Sequence, residues 1–516
     1  MRQFAWVLAI SLPSLLLFGC GSGDSDTGAI GGTGPVRGTL LQSPPSRVAS
    51  LSPTELQAAI ATGDLAQALV QLVATPKCGV DVHYLQYNTV GGSSEATTAS
   101  GAMMIPTGTD AACQGPRPIV LYAHGTSADR TYNIANFATT HDIEGLLMAV
   151  VFAAQGYIVV APNYAGYDSS TLNYHPYLNA DQSSKEMIDI LGAARSALPT
   201  TYAPSVTDSG KLFITGYSQG GHVAMAAHRA LQAAGQTVTA SAPMSGPYAL
   251  AAFGDAVFYG NVNLGAPILS VLLLTSYQHA YGNIYTNTTD VFEPQYASGI
   301  DSLLPSATAT STLYSQGKLP QTQLFSSTPP DPIYASLTPP TTPANFAPLF
   351  ALGFGPNNLI TNAFRLAYLN DAQANPDGAW PTTTTGLPPA APANPARQAF
   401  KRNDLRDWTP TTPVLLCAGD QDPTVFYMNT QIMQGYWAMT APTAPVTVLD
   451  VDSAVVSADP YATLKNGFAA AKLLVAANAV ASGATDGGTN AVLQDYHGAL
   501  VPPFCLSAAK SFFDAH

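Results

Sequence analysis

Charge is scarce in this sequence. Asp, Glu, Lys and Arg make up only 10% of its 516 residues, where globular domains carry about 25%. Acids outnumber bases 32 to 19, and nowhere do Lys and Arg gather into a patch. Binding a nucleic acid needs such a patch to neutralise phosphates, so no nucleic-acid partner is expected. Cysteine is rare too: the chain has five, and no Cys/His spacing matches a zinc knuckle. No metal site and no organic cofactor are expected. There is no internal repeat. What is abundant is apolar material, 47% of the chain, ample for burial. At this length the chain fits one large decorated domain, or a domain with a big insertion.

Arg2 precedes FAWVLAISLPSLLLF, an apolar run of the length of a signal-peptide core. It is short for a membrane span and contains Pro13. It ends in Leu17-Phe18-Gly19-Cys20, which resembles a bacterial lipobox. The resemblance implies a lipoprotein signal peptide over residues 1–20, cleavage before Cys20 and lipidation of that cysteine. Residues 21–46, rich in Gly, Ser, Thr and Pro, suit a flexible tether. Gly21 is not the Asp that tends to hold such lipoproteins at the inner membrane, so the outer membrane or cell surface is expected. The alternative is plain secretion with an incidental Cys20. Four cysteines remain: Cys78, Cys113, Cys417 and Cys505. In an exported chain an even count implies two disulfides. Three pairings exist. Cys78–Cys113 with Cys417–Cys505 is preferred, because the first would bracket one hairpin and the second would tie two C-terminal segments.

Ser52-Pro53-Thr54-Glu55 has the form of a capped helix start, predicting a helix to about residue 73. VDVHYLQYNT and ATTASGAMMIP alternate like strands, with a GGSSE turn between them. Buried strands follow in RPIVLYAHGT, YIVVAPNYAG, KLFITGYS and TVTASAPMSGPY. Between them, residues 143–155, 182–198 and 220–235 have helical patterns. Strands alternating with helices predict a mostly parallel sheet with helices on both faces. The rhythm breaks over residues 249–408, where apolar helical patches alternate with Thr/Pro/Ala-rich loops. It resumes at TPVLLCAGDQDPTV, APVTVLDV and a helix over 461–480. The expected layout is therefore a catalytic domain made of residues 47–248 and 409–516, with 249–408 inserted as a mainly helical cap or lid.

Gly216-Tyr217-Ser218-Gln219-Gly220 stands between a strand and a helix. That is the context a nucleophile elbow needs: glycines let the chain turn tightly and lift the Ser218 hydroxyl above the sheet edge. The Gln219 N–H, at a helix start, is then placed to donate to a developing oxyanion. A serine hydroxyl needs a base, and on this topology the partners follow as Ser, acid, His. Of nine histidines only His279, His497 and His516 lie beyond the helix that carries Ser218. His279 falls in the insertion and His516 is the last residue. His497, in a loop reading Asp495-Tyr496-His497-Gly498, is the candidate base. The acid belongs on the loop after LLCAG, which offers Asp420 and Asp422. Asp422 is preferred and Asp420 is kept as a turn residue. Thr126, in YAHGTSAD, is the candidate second oxyanion donor, and His124 shapes that turn. His222 is expected to pack locally. Tyr164, Tyr167 and Asp168 are possible pocket residues.

The run AHGT, APNYAGYDSS, GYSQGGH, LLCAGDQDPTV and DYHG resembles the α/β-hydrolase superfamily. More narrowly, it is similar to the secretory lipase family of lipase-A type, whose members carry a helical cap between the nucleophile and acid strands. The resemblance covers roughly residues 50–515. It implies the α/β-hydrolase fold and hydrolysis of carboxylic esters, with Ser218, Asp422 and His497 as the triad. One departure is Asn163, where similar sequences often have Asp. The expected protein is a monomeric, exported esterase or lipase, held to a membrane by its N-terminal lipid, acting on small or polymeric esters with apolar acyl or aromatic groups. The alternatives are a peptidase, acyltransferase or thioesterase on the same triad, or an inactive surface-binding lipoprotein.

Overall fold

The computed structural model describes residues 35–60, 74–137, 143–202 and 204–516. The proposed signal peptide, Cys20 and residues 21–34 of the proposed tether lie outside the described residues, as does the helix expected over 61–73. The capped start of that helix is present as α1 (Pro53–Ile60). Glu55 accepts from the Ser52 N–H at 2.8 Å, and the Ser52 hydroxyl accepts from the Glu55 N–H.

Among the described residues, nine strands form one sheet in the order β1-β2-β3-β5-β4-β6-β7-β8-β9. They are β1 (Ser46–Leu51), β2 (Gly79–Val90), β3 (Ala96–Thr107), β4 (Gly115–Ala123), β5 (Ile158–Pro162), β6 (Val206–Tyr217), β7 (Ala240–Met244), β8 (Val414–Ala418) and β9 (Val446–Asp450). β1, β2 and β3 pair antiparallel, β3 meets β5 antiparallel, and every later pairing is parallel. Strands β5, β7 and β8 are buried throughout, which explains why they read as unbroken apolar runs. The helices α2 (Ile143–Val151), α3 (Ala180–Thr201) and α4 (Gln219–Ala233) fill the parallel connections.

The edge strand β1 changes one expectation. The tether does not extend to residue 46. Arg37 pairs with Asp189 of α3 at 3.0 Å, and the Gly38 and Leu41 N–H groups donate to the Asn88 and Gln86 carbonyls of β2 at 2.8 Å. Edge backbone groups recruit these residues despite their loop-like composition.

Between β7 and β8 there is no strand. The chain passes through α5 (Leu250–Phe258), α6 (Ala266–Tyr281), several shorter turns, α7 (Asn362–Ala374) and α8 (Pro395–Arg402). These enclose a second core around Val271, Leu272, Phe292, Phe325 and Leu359. Few charges exist, and several are spent inside this part. Arg397 bonds Asp255 at 2.7 Å and Asp371 at 2.8 Å; Arg406, fully buried, bonds Asp377 and Asp404. The Leu405 N–H donates to the Tyr248 carbonyl at 2.9 Å, closing the neck of the insertion. Leu405 and Trp408 already pack with Met225, Val414 and Trp437 of the sheet side, so the neck lies a few residues before the expected boundary at 408.

The C-terminal part adds α9 (Met428–Thr440), α10 (Ala462–Ala481), α11 (Thr489–Asp495) and α12 (Val501–Asp514). Tyr496–Leu500, expected to be a loop, is instead a π-helical turn joining α11 to α12. Disulfides join Cys78 to Cys113 and Cys417 to Cys505.

Candidate active site

Strand β6 delivers its last residue, Tyr217, directly into a tight turn at Ser218. Ser218 has φ 59° and ψ −121°, a conformation that is strained for any residue with a Cβ. The neighbours make it possible. A Cβ on Gly220 would lie 1.9 Å from the Ala123 carbonyl oxygen, and one on Gly216 would lie 2.3 Å from that of Gly220. Only glycines let helix α4 start this close to β4. The Ser218 N–H donates to the Met244 carbonyl of β7 at 3.0 Å, fixing the turn above the sheet edge.

The Ser218 Oγ lies 2.8 Å from His497 Nε2. His497 Nδ1 lies 2.6 Å from Asp422 Oδ2. Asp422 is buried, and its other oxygen accepts the Thr424 and Val425 N–H groups at 2.9 and 3.0 Å. The carboxylate therefore faces the ring as an acceptor, Nδ1 carries the proton, and Nε2 presents a lone pair to the serine hydroxyl. Three parts of the chain meet here: the β6–α4 turn, the loop after β8 and the π-helical turn. Tyr217 donates its hydroxyl to the His497 carbonyl at 2.6 Å. Tyr496 packs over the acid loop, where a Cβ on Gly419 would come within 2.5 Å of its hydroxyl. Asp420 does not touch His497; its N–H donates to Asp450 at 3.1 Å.

The Gln219 N–H stands in the first turn of α4, where a helix leaves its N–H groups without intrahelical partners. Thr126 lines the cavity together with Ser218 and Gln219. Its neighbour Gly125 has its N–H engaged by Glu144 at 3.1 Å, and Glu144 also accepts the Tyr122 hydroxyl.

The other expected pocket residues are elsewhere. Tyr164, Tyr167 and Asp168 do not line the cavity. Tyr164 donates to the His124 carbonyl at 2.9 Å and Tyr167 to the Ser127 carbonyl at 2.5 Å; both are buried. Asp168 accepts from Ser100 at 2.6 Å and from Tyr84. These three support the loops behind the site, because buried hydroxyls and carboxylates must find partners. Asn163 does the same: its Oδ1 accepts the Ile134 N–H at 2.8 Å. His124 lies between the rings of Tyr132 and Tyr164, with burial pushing it down to about 4. His222 Nε2 reaches the Asn403 carbonyl at 2.8 Å, away from Ser218.

A cavity of about 390 Å³ opens on Ser218 and His497. Its far wall comes from the insertion: Leu250, Phe253, Val257 and Phe258 of α5, and Leu269 and Leu273 of α6. Chain order could find Ser218, Asp422 and His497. It gave no access to Glu144, which precedes Ser218 and belongs to no motif, or to the contact of the Tyr217 hydroxyl with the His497 carbonyl.

Residues 146–261 match the prolyl oligopeptidase family. No curated protein matches significantly. Among solved structures, LipA of Xanthomonas oryzae, a rice cell wall degrading esterase, is 29% identical over 84% of this chain and 95% of its own, with a TM-score of 0.62. A putative hydrolase of Legionella pneumophila is 18% identical over 91% of this chain and 96% of its own, with a TM-score of 0.61. A mostly parallel sheet of this strand order, with a strained serine where β6 enters its helix and a 29% identical structure matched along 95% of its own length, places the chain in the α/β-hydrolase superfamily.

Proposed function

We propose that the protein is a serine carboxylester hydrolase. The observation that carries this reading is the continuous chain Ser218–His497–Asp422, at 2.8 and 2.6 Å, at the mouth of an apolar cavity. In this reading His497 Nε2 takes the Ser218 proton as Oγ attacks the ester carbonyl. The carbonyl oxygen becomes an anion held by the Gln219 and Thr126 N–H groups. His497 then gives its proton to the leaving alkoxide, and an acyl-enzyme forms. Water, deprotonated by His497, releases the acid. Asp422 holds the imidazole tautomer and faces the imidazolium. The apolar wall from α5 and α6 suits an apolar acyl or aromatic group, on a small ester or on a polymer chain end. The cell wall degrading esterase LipA, matched along most of both chains, supports ester chemistry.

The prolyl oligopeptidase match supports a second reading, peptide cleavage on the same residues. That match ends at residue 261, ahead of Asp422 and His497, so it speaks for the nucleophile half alone. We also propose export with a lipid at Cys20; two disulfides suit an oxidising compartment. Loss of labelled-palmitate incorporation in Cys20→Ser would support the anchor, and unlabelled wild type would refute it.

The test of function is a panel of p-nitrophenyl esters from acetate to palmitate, beside peptide p-nitroanilides, on wild type and Ser218→Ala. A fluorophosphonate with peptide mapping runs in parallel. Ester turnover, label on Ser218 and a dead alanine variant are expected. Peptide turnover without ester turnover would favour the second reading. A folded protein that takes no label and cleaves neither substrate would overturn both.

A further inference from the structure

His175 and Tyr177 lie on the connection between β5 and α3, and both are buried. The His175 ring packs among Tyr164, Tyr167 and Tyr177, with centroids 5.4, 4.8 and 5.9 Å away. Its Nδ1 is 3.0 Å from the Ala165 carbonyl, which can only accept, so Nδ1 carries the proton. Burial pushes the ring down to about 3 and keeps it neutral. Nε2 is then a lone pair, and it accepts from the Gln219 side-chain amide at 2.6 Å. This fixes the amide orientation and leaves Gln219 Oε1 buried with no hydrogen-bond partner. A buried acceptor without a partner costs stability, so the side chain is held here at some expense.

Two residues along, the Tyr177 hydroxyl lies 2.8 Å from Thr126 Oγ1. One short segment therefore grips the side chains of both residues whose N–H groups form the proposed oxyanion site. The segment is itself held. Ser276 Oγ and the Tyr277 hydroxyl, on α6 of the insertion, donate to the Tyr177 and Leu178 carbonyls, each at 3.1 Å.

We propose that His175 and Tyr177 are positioning residues for the oxyanion site, His175 acting through Gln219 and Tyr177 through Thr126. The proposal rests on the ester-hydrolase reading above. Neither residue touches the reacting atoms. Each fixes a peptide whose N–H must meet a charge that exists only in the transition state, so its loss is felt in kcat and not in substrate binding.

The experiment uses the full chain with His175→Ala, His175→Gln, Tyr177→Phe, Gln219→Ala and the His175→Ala/Gln219→Ala double variant. Rates are taken per site titrated by fluorophosphonate, so misfolded chains drop out of the count. Affinity for an alkyl boronic acid, which forms a tetrahedral adduct on the serine, is measured beside kcat and KM. His175→Ala and Tyr177→Phe are each expected to lower kcat about 10- to 100-fold with KM little changed, and boronate affinity should fall in parallel. His175→Gln, which keeps an acceptor near the Nε2 position, should recover part of the loss. The double variant should be no slower than the slower single, because the two residues act as one unit. Unchanged kcat in His175→Ala and Tyr177→Phe, a loss confined to KM, or additive losses in the double variant would overturn the proposal while leaving an active wild type. An inactive, unlabelled wild type would remove the hydrolase reading, and this proposal with it.

Discussion

Ser218 owes its position to atoms its neighbours lack. A methyl group at residue 220 would collide with the backbone of Ala123, which has no flexible end to swing aside. Gly220→Ala is therefore expected to cost roughly 3 kcal/mol or more, read as a fall in Tm or loss of soluble protein. A variant as stable as wild type would mean the turn is looser than described. Asp422→Asn is a different kind of change. It keeps shape but offers an N–H where the ring needs an acceptor, and the opposite tautomer removes the lone pair facing Ser218. We expect kcat to fall about 10³- to 10⁴-fold with KM near wild type. An Asp422→Asn enzyme within tenfold of wild type would reassign the acid. That Ser218, Asp422 and His497 meet was legible because topology dictates their order along the chain, and order survives in a one-dimensional string. Tyr164, Tyr167 and Asp168 were misjudged for the same reason. Their loop does reach the sheet edge, but whether a side chain faces the cavity or the layer beneath depends on packing that sequence spacing does not encode.

At the scale of elements, the parallel strands were legible because burial on both faces writes them as apolar runs. β1 was not, since an edge strand is specified by its partner's unpaired groups more than by its own residues. The π-helical turn at Tyr496–Leu500 was not legible either: one extra residue per turn leaves no mark on composition. The turn changes how His497 is held, because it rides on a helix continuous with α12 instead of on a free loop. Cys417 and Cys505 lock that helix to β8, one strand end from Asp422. The closed loop spans 88 residues. Replacing both cysteines by serine is expected to cost about 2–5 kcal/mol and to lower kcat along with Tm, since Asp422 and His497 lose their shared anchor. A stability loss with kcat intact would show that packing alone keeps the register.

At the scale of the whole molecule, the insertion is stitched to the catalytic loops on several sides. Asn263 donates to the Thr424 carbonyl at 2.8 Å, the Leu264 N–H to that of Pro423 at 2.9 Å, and the Arg130 N–H to that of Ser306 at 3.0 Å. A roof held by these contacts is expected to stay in place during turnover. The rate is expected to follow simple saturation as a triglyceride passes its solubility limit, and a jump at that limit would reveal an opening lid. The break in the strand rhythm between β7 and β8 was legible in the sequence; the contacts that seam this segment to the sheet side were not, since they join distant residues. Acid should weaken the molecule. Burial holds His124, His222 and His228 near 4 and His175 near 3, against about 6.5 when unfolded. Their depressed values contribute stability that is complete above pH 6.5 and lost as pH falls through 4. Glu186 and Asp450, raised by burial to about 7 and about 6, oppose this, losing their contributions as pH rises from about 4 to 7. Four groups outweigh these two, so Tm should drop between pH 6.5 and 4, and Glu186→Gln should raise Tm at pH 8 but not at pH 4.5. A flat Tm across that range would contradict the burial of these rings. Ser218 and His497 meet in space but are 279 residues apart along the chain. With synthesis proceeding at roughly 5–20 residues per second, His497 follows Ser218 off the ribosome by on the order of 15–55 s. On the proposed reading, the growing chain carries a serine with no base through all of that interval, so a half-made chain is expected to be idle.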